Sequence, residues 1–150
     1  MRDTALAAHA FLEGFEEEHL EIIENCVAGR SVWKQGEMML LRGGPADTCH
    51  LIVDGTGGIE IRSPGRAPRV LQTLQGGDIL GWSWMFEPRL WTFDARAVTE
   101  VTACTLDAVL LRKAMEDDLE FGLRFGTRMT QAVINRLKAT RLQVLDVYNH

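Results

Sequence analysis

Cysteine is scarce in this chain, and what little there is excludes much. Cys26, Cys49 and Cys104 are odd in number and widely spaced, so they form neither a disulfide framework nor a CxxC metal pair, and a reducing cytoplasm is the expected location. Basic residues are also short: 16 Lys and Arg stand against 21 Asp and Glu, a net charge of −5. General affinity for nucleic acid needs clustered cations to displace counterions from phosphates, and this balance does not supply them. Long apolar runs are missing too, and Met1 to His9 lacks the basic start and apolar core of a signal peptide. A soluble protein without a membrane partner is expected.

Catalytic signatures are equally absent. The sequence has no GxSxG elbow, no Walker loop, no HExxH and no carboxylate pair placed by spacing, so no enzyme is expected. His9, His19, His50 and His150 show no HxxxH-type spacing, and Cys49-His50 is the only adjacent Cys–His pair, so neither metal nor haem is expected. The Gly76-Gly77…Gly81 spacing lacks the βαβ context of a dinucleotide fingerprint and serves turns instead.

What is present falls into three stretches within one domain: N-terminal helices (1–29), a β-rich middle (30–107) and C-terminal helices (108–150). Phe11, Leu12, Phe15, Leu20, Ile23 and Val27 recur at helical spacing opposite a run of glutamates, with Gly14 breaking the stretch into two short helices. Short apolar runs then alternate with Gly-, Pro- and Asp-rich turns: Ser31–Lys34, Met38–Leu41, His50–Asp54, Gly58–Arg62, Val70–Leu74, Ala95–Ala97 and Val101–Leu106. Strands at this spacing predict a sandwich or barrel. Asp107 is the expected N-cap of a helix over Ala108–Glu116, and a longer helix is expected from about Leu119 to Val147. Met129, Val133, Leu137, Thr140, Val144 and Val147 recur in that helix as a near-heptad seam. The seam predicts pairing with a second copy of the chain; the same spacing also fits a helix lying back on its own sheet.

In their order, several motifs make the layout recognisable. Phe11-Leu12-Glu13-Gly14-Phe15 is followed by Gly36-Glu37, Arg42-Gly43-Gly44-Pro45-Ala46-Asp47, Leu51-Ile52-Val53-Asp54-Gly55 and Gly76-Gly77-Asp78-Ile79-Leu80-Gly81. From about Ala10 to Val147 the chain resembles the cyclic nucleotide-binding domain of the catabolite-activator (Crp/Fnr-type) superfamily. The resemblance implies a mainly β fold: an antiparallel β-roll of jelly-roll type, flanked by N-terminal helices and a long C-terminal dimerisation helix. It also implies a phosphate-binding cassette, here about 76–92, in which a short helix aims backbone N–H groups and its positive end at a cyclic phosphate. In relatives that bind nucleotide, a Glu after the turn glycine accepts from the ribose, an Arg further on pairs with the phosphate, and the long helix offers a hydroxyl to the base.

The cassette here departs from that pattern. Trp82 follows Gly81 where the ribose Glu is expected, Trp91 stands at the phosphate Arg position, and Thr92 falls on the next hydroxyl position. Losing the bidentate cation predicts weak binding of cAMP and cGMP. Trp82, Trp84 and Trp91 either form an aromatic wall for a planar ligand or fill a vestigial pocket. Arg89 is the candidate replacement cation, against the plainer expectation of a solvated loop charge. Arg96 sits in a strand, where alternation sends it inward or outward. Glu37 serves a structural bond or a free turn.

The leading expectation is a non-catalytic ligand-sensing module. It takes a nucleotide-like effector at Gly81, Trp82, Ser83, Arg89, Trp91, Thr92 and Thr140, needs no cofactor, and signals through a homodimer to a protein partner. Two alternatives are a ligand-free dimerisation scaffold with a plugged pocket, and the sensor half of a transcription regulator. The chain ends at His150, where a helix-turn-helix domain would begin, so specific DNA binding by this chain is not expected. Pocket volume separates sensor from scaffold.

Overall fold

The structure is a computed structural model that describes the backbone of residues 4–149 and the side chains of residues 6–141. Gly14, at φ +83°, turns the chain between a first helical segment and α2 (Glu17–Asn25). The first segment is α1 (Thr4–Ala7) followed by a 3-10 turn at Ala10–Leu12. His9 holds that turn: its Nδ1 accepts the Phe11 N–H at 3.1 Å, and its Nε2 meets the Ile52 carbonyl at 2.6 Å.

Eight strands follow: β1 (Val27–Trp33), β2 (Met38–Leu40), β3 (Thr48–Asp54), β4 (Gly57–Ile61), β5 (Arg69–Leu74), β6 (Ile79–Leu80), β7 (Asp94–Ala97) and β8 (Val101–Asp107). They form two four-stranded sheets, ordered β1-β8-β3-β6 and β2-β7-β4-β5, with every pairing antiparallel. This is the expected β-roll. Strand β6 went unforeseen because two residues carry no period. Residues Cys49–Ile52 of β3 and Ala103–Leu106 of β8 are buried without alternation. One face of each strand looks into the roll, and α3 (Ala108–Asp117) packs on both strands. Both faces being covered explains why neither stretch alternates between buried and exposed residues. The three cysteines are free and buried, as small apolar residues are.

Asp107 caps α3 as expected, its carboxylate accepting from the Val109 and Leu110 N–H groups, a contact worth about 1 kcal/mol. Helix α4 (Leu119–Asn149) then crosses back over the roll. Phe121, Phe125 and Met129 are fully buried, and Phe125 meets Phe11 at 5.6 Å and Trp84 at 6.1 Å between ring centroids. One aromatic cluster thus ties the N-terminal segment, the cassette and the long helix together. Among the described residues no helix is long and apolar enough to cross a membrane.

The seam on α4 needs correction. Met129 is 1% exposed within the chain's own core, Val133 is half-buried, and the Thr140 hydroxyl is bonded to the Gln72 amide of β5. The spacing that suggested a dimer seam therefore marks the face lying on the roll. At 100° per residue, the exposed apolar stripe is turned by about a quarter of the helix: Leu119 (78% exposed), Leu123 (73%), Ile134 (44%) and Leu137 (59%). Of the residues expected in the seam, only Leu137 lies on this stripe. The side chains of Val144 and Val147 lie outside the described residues.

Candidate functional site

The cassette begins where β6 ends. Gly81 has φ +98°, in the left-handed region open to glycine, and a Cβ built there would stand 2.8 Å from the Trp91 ring. Sequence and packing therefore require glycine for two reasons, the turn and the tryptophan against it. Next comes a single 3-10 turn, Ser83–Met85, whose N-cap Trp82 makes no side-chain capping bond. The expected short helix is reduced to three residues, too few to sum peptide dipoles toward an anion. Trp84 is wholly buried, with its indole N–H donated to the Gly81 carbonyl at 2.9 Å.

Trp91 returns to this turn from the far side of the cassette loop. Its backbone pairs with the Arg42-Gly43-Gly44 turn, Trp91 N–H to Gly44 O and Gly43 N–H to Trp91 O, both at 2.9 Å. The indole is 7% exposed and lies on Gly81. The space bounded by Gly81, Trp82, Ser83, Trp91, Thr92 and Arg136 amounts to about 20 Å³. That is room for about one water molecule and for no nucleotide.

Five of the seven expected ligand residues therefore line one small cavity: Gly81, Trp82, Ser83, Trp91 and Thr92. Arg89 and Thr140 are elsewhere. Arg89 adopts φ +57°, held by bonds from Arg89 N–H to Phe86 O and from Ala46 N–H to Arg89 O. Its side chain lies in a separate cleft beside Trp84, Met85 and Arg112, with Glu87 at 3.6 Å, and does not reach the cassette cavity. The substitute cation expected at Arg89 is thus misplaced: the left-handed backbone aims it away. The Thr140 hydroxyl is bonded to Gln72 and to the Arg136 carbonyl. Arg96 pairs across the sheet with buried Glu60 at 3.0 Å and donates to the Gly36 carbonyl, and Glu37 accepts from the Lys34 N–H. Both have structural roles.

The cation that does reach the cavity is Arg136, which is not among the expected ligand residues. It comes from α4, donates to the Ile79 carbonyl at 2.7 Å and lies over the Trp82 ring at 4.8 Å. Burial lowers its pKa to about 10 against the opposing pull of Asp78, so it remains charged at neutral pH. The signal was available: Arg136 sits four residues before Thr140, on the face that carries Met129. Arg136 also borders a second, open cavity of about 290 Å³ between β5 and α4, where Arg128, Gln72, Asp78 and Phe11 contribute walls. Its Nη1 is buried without a hydrogen-bond partner.

Comparison with known proteins places this geometry. Residues 30–118 match the cyclic nucleotide-binding domain family. The CRP-like cAMP-activated global transcriptional regulator of Mycobacterium tuberculosis is 26% identical over 113 residues, which are 75% of this chain and 49% of the regulator. The chain spans about half the length of the curated relatives it matches. Among solved structures, a cyclic nucleotide-binding domain from Methylobacillus flagellatus superposes with a TM-score of 0.81 at 16% identity, covering 95% of this chain and 82% of that one. A putative cyclic nucleotide-binding protein from Geobacter metallireducens gives 0.77 at 22% identity, with 88% and 95% covered. The chain belongs to the cyclic nucleotide-binding domain family.

Proposed function

We propose that this chain is a non-catalytic regulatory module that keeps the family's fold but has closed the cassette to cyclic nucleotides, and that it acts as a homodimer through α4. The observation carrying this proposal is Trp91 seated on Gly81. The indole packs on Gly81 and leaves a cavity of about 20 Å³, at the cassette position where the resemblance implies a phosphate-pairing Arg. Trp82 removes the ribose acceptor, and a three-residue 3-10 turn replaces the anion-facing helix. Each change acts against cAMP, and none has a compensating contact in that cavity: Arg136, the cation at its wall, donates to the Ile79 carbonyl and lies over the Trp82 ring, and the remaining space holds no phosphate. The chain remains linked to regulation through its CRP-like relative, and carries no catalytic constellation in its sequence.

The proposed dimer uses the exposed stripe Leu119, Leu123, Ile134 and Leu137. Burying an aliphatic side chain of this size stabilises by about 1.5–3 kcal/mol. Ile134→Glu and Leu137→Glu should therefore each weaken self-association at least about tenfold, with Met129→Leu, inside the core, leaving it unchanged. Sedimentation equilibrium checks this. A wild-type monomer at all concentrations removes the dimer from the proposal.

One observation favours a retained effector of different chemistry. The open 290 Å³ cavity beside β5 is bordered by Arg128 and Arg136, and one buried Nη1 of Arg136 has no partner. A small polyanion fits that pair of guanidinium groups. A thermal-shift panel of phosphate, pyrophosphate and nucleoside phosphates tests it: the expected result is stabilisation that Arg128→Ala abolishes. No shift across the panel dismisses this effector.

A further inference from the structure

The geometry points to a divalent transition-metal site of the zinc class formed by Glu16, His19 and Glu120, joining the N-terminal helix to the root of α4. Spacing in the sequence gave no hint of it, since Glu120 lies about a hundred residues from the other two. The fold brings them together because the His19 ring packs edge-on against Phe121, at 5.5 Å between centroids, which carries the neighbouring Glu120 with it. Glu16 is the N-cap residue of α2 and His19 sits three positions later, so both project from one side of the helix. One donor atom from each of the three residues lies within 4.8 Å of the others.

The imidazole is the independent sign. His19 is 5% exposed, and its Nδ1 is buried with no hydrogen-bond partner. A buried ring nitrogen without a partner is costly in a finished core, and a metal ion bound at Nδ1 resolves it. The two carboxylates are exposed, and among the described residues the Glu16 side chain does not cap its own helix. Ligand atoms around tetrahedral zinc stand about 3.3 Å apart, so rotating the two flexible glutamates closes the cluster. Beside it lies a cavity of about 290 Å³ that leaves room for water as a fourth ligand. Arg124 also lines this cavity, but its guanidinium is held over the Phe15 ring at 4.2 Å and donates to the Glu13 carbonyl. Two carboxylates and a neutral imidazole balance a divalent charge, and the imidazole favours zinc, cobalt or nickel over magnesium or calcium.

The test uses the full chain and two ions. Zn²⁺ titrated by calorimetry should bind once per chain and raise Tm by about 5–10 °C at a hundredfold excess over Kd. Co²⁺ should produce the visible absorption of a four-coordinate site and be displaced by Zn²⁺. His19 is buried, so its removal risks the fold. The exposed Glu16→Gln and Glu120→Gln keep the test sharp, and each should lower affinity at least about tenfold, since even outer-shell changes cost that much. Zinc binding that both variants retain in full, or a response to Mg²⁺ equal to that to Zn²⁺, overturns the site. Neither outcome bears on the closed cassette, which is read by nucleotide titration.

Discussion

Trp91→Ala should cost about 3–5 kcal/mol of stability, the range for truncating a buried aromatic, and lower Tm by about 10–15 °C. The indole is 7% exposed, and its loss leaves Gly81, Trp82, Phe93 and Arg136 lining a void that the backbone turns at Gly44 and Gly81 prevent from collapsing. A dry aromatic cavity of this kind takes up small apolar solutes. Added indole should therefore raise the Tm of Trp91→Ala and leave that of the wild type unchanged. The variant should still fail to take up cAMP, because removing the indole adds no cation to the cavity. A loss under 1 kcal/mol with no rescue by indole would mean that Trp91 does not fill the cassette. Thermal denaturation with and without indole decides between these outcomes.

The second large effect is a loss of stability in mild acid. His50 lies between the two sheets, 4% exposed, its Nδ1 at 2.9 Å from the Thr105 hydroxyl and its Nε2 at 3.0 Å from that of Thr48. Burial pushes its pKa down to about 4 from an unfolded value near 6.5. The native state thus holds the neutral ring while the unfolded chain takes up a proton. Stability is fully present above pH 6.5 and falls as the pH drops toward 4, by about 3 kcal/mol across that window. His9 adds to the same trend: burial lowers its pKa, only partly offset by its bond to the Ile52 carbonyl. Urea denaturation at pH 7.5, 6, 5 and 4 should show this slope. His50→Gln should be less stable at neutral pH but flatter toward acid. An unchanged slope in that variant would remove His50 as the main acid-sensitive group.

Much of the fold was legible in local chemistry. The Gly14 break, the Asp107 cap and the start of α4 at Leu119 are written in residues that act within one turn of their position. Seven of the eight strands announced themselves between Gly- and Asp-rich turns. Strand β6 did not, because Ile79 and Leu80 pair with β3 over only two residues.

The site was half legible. The substitutions at Trp82 and Trp91 could be read by their order after Gly81, and they raised the choice between wall and plug. Which of the two holds depends on where the Trp91 ring lies, and that is set by its pairing with the Gly44 turn. Arg89 misled for a similar reason: its charge was visible in the sequence, its φ of +57° was not. Arg136 and Gln72 were overlooked because their roles depend on how α4 is rotated about its axis. A heptad-like spacing fixes that some face is buried and is silent on whether the roll or a second chain buries it. Met129 and Leu137 belonged to one stripe in the sequence and lie on different faces of the folded helix.

Isothermal titration of cAMP into the purified wild-type protein tests the closed cassette most directly. The expected result is no saturable heat at millimolar nucleotide, with the same silence for cGMP. A saturable, stoichiometric isotherm that Trp82→Ala abolishes and Arg128→Ala leaves intact would contradict it, and would mean that Trp91 leaves Gly81 to admit the ligand.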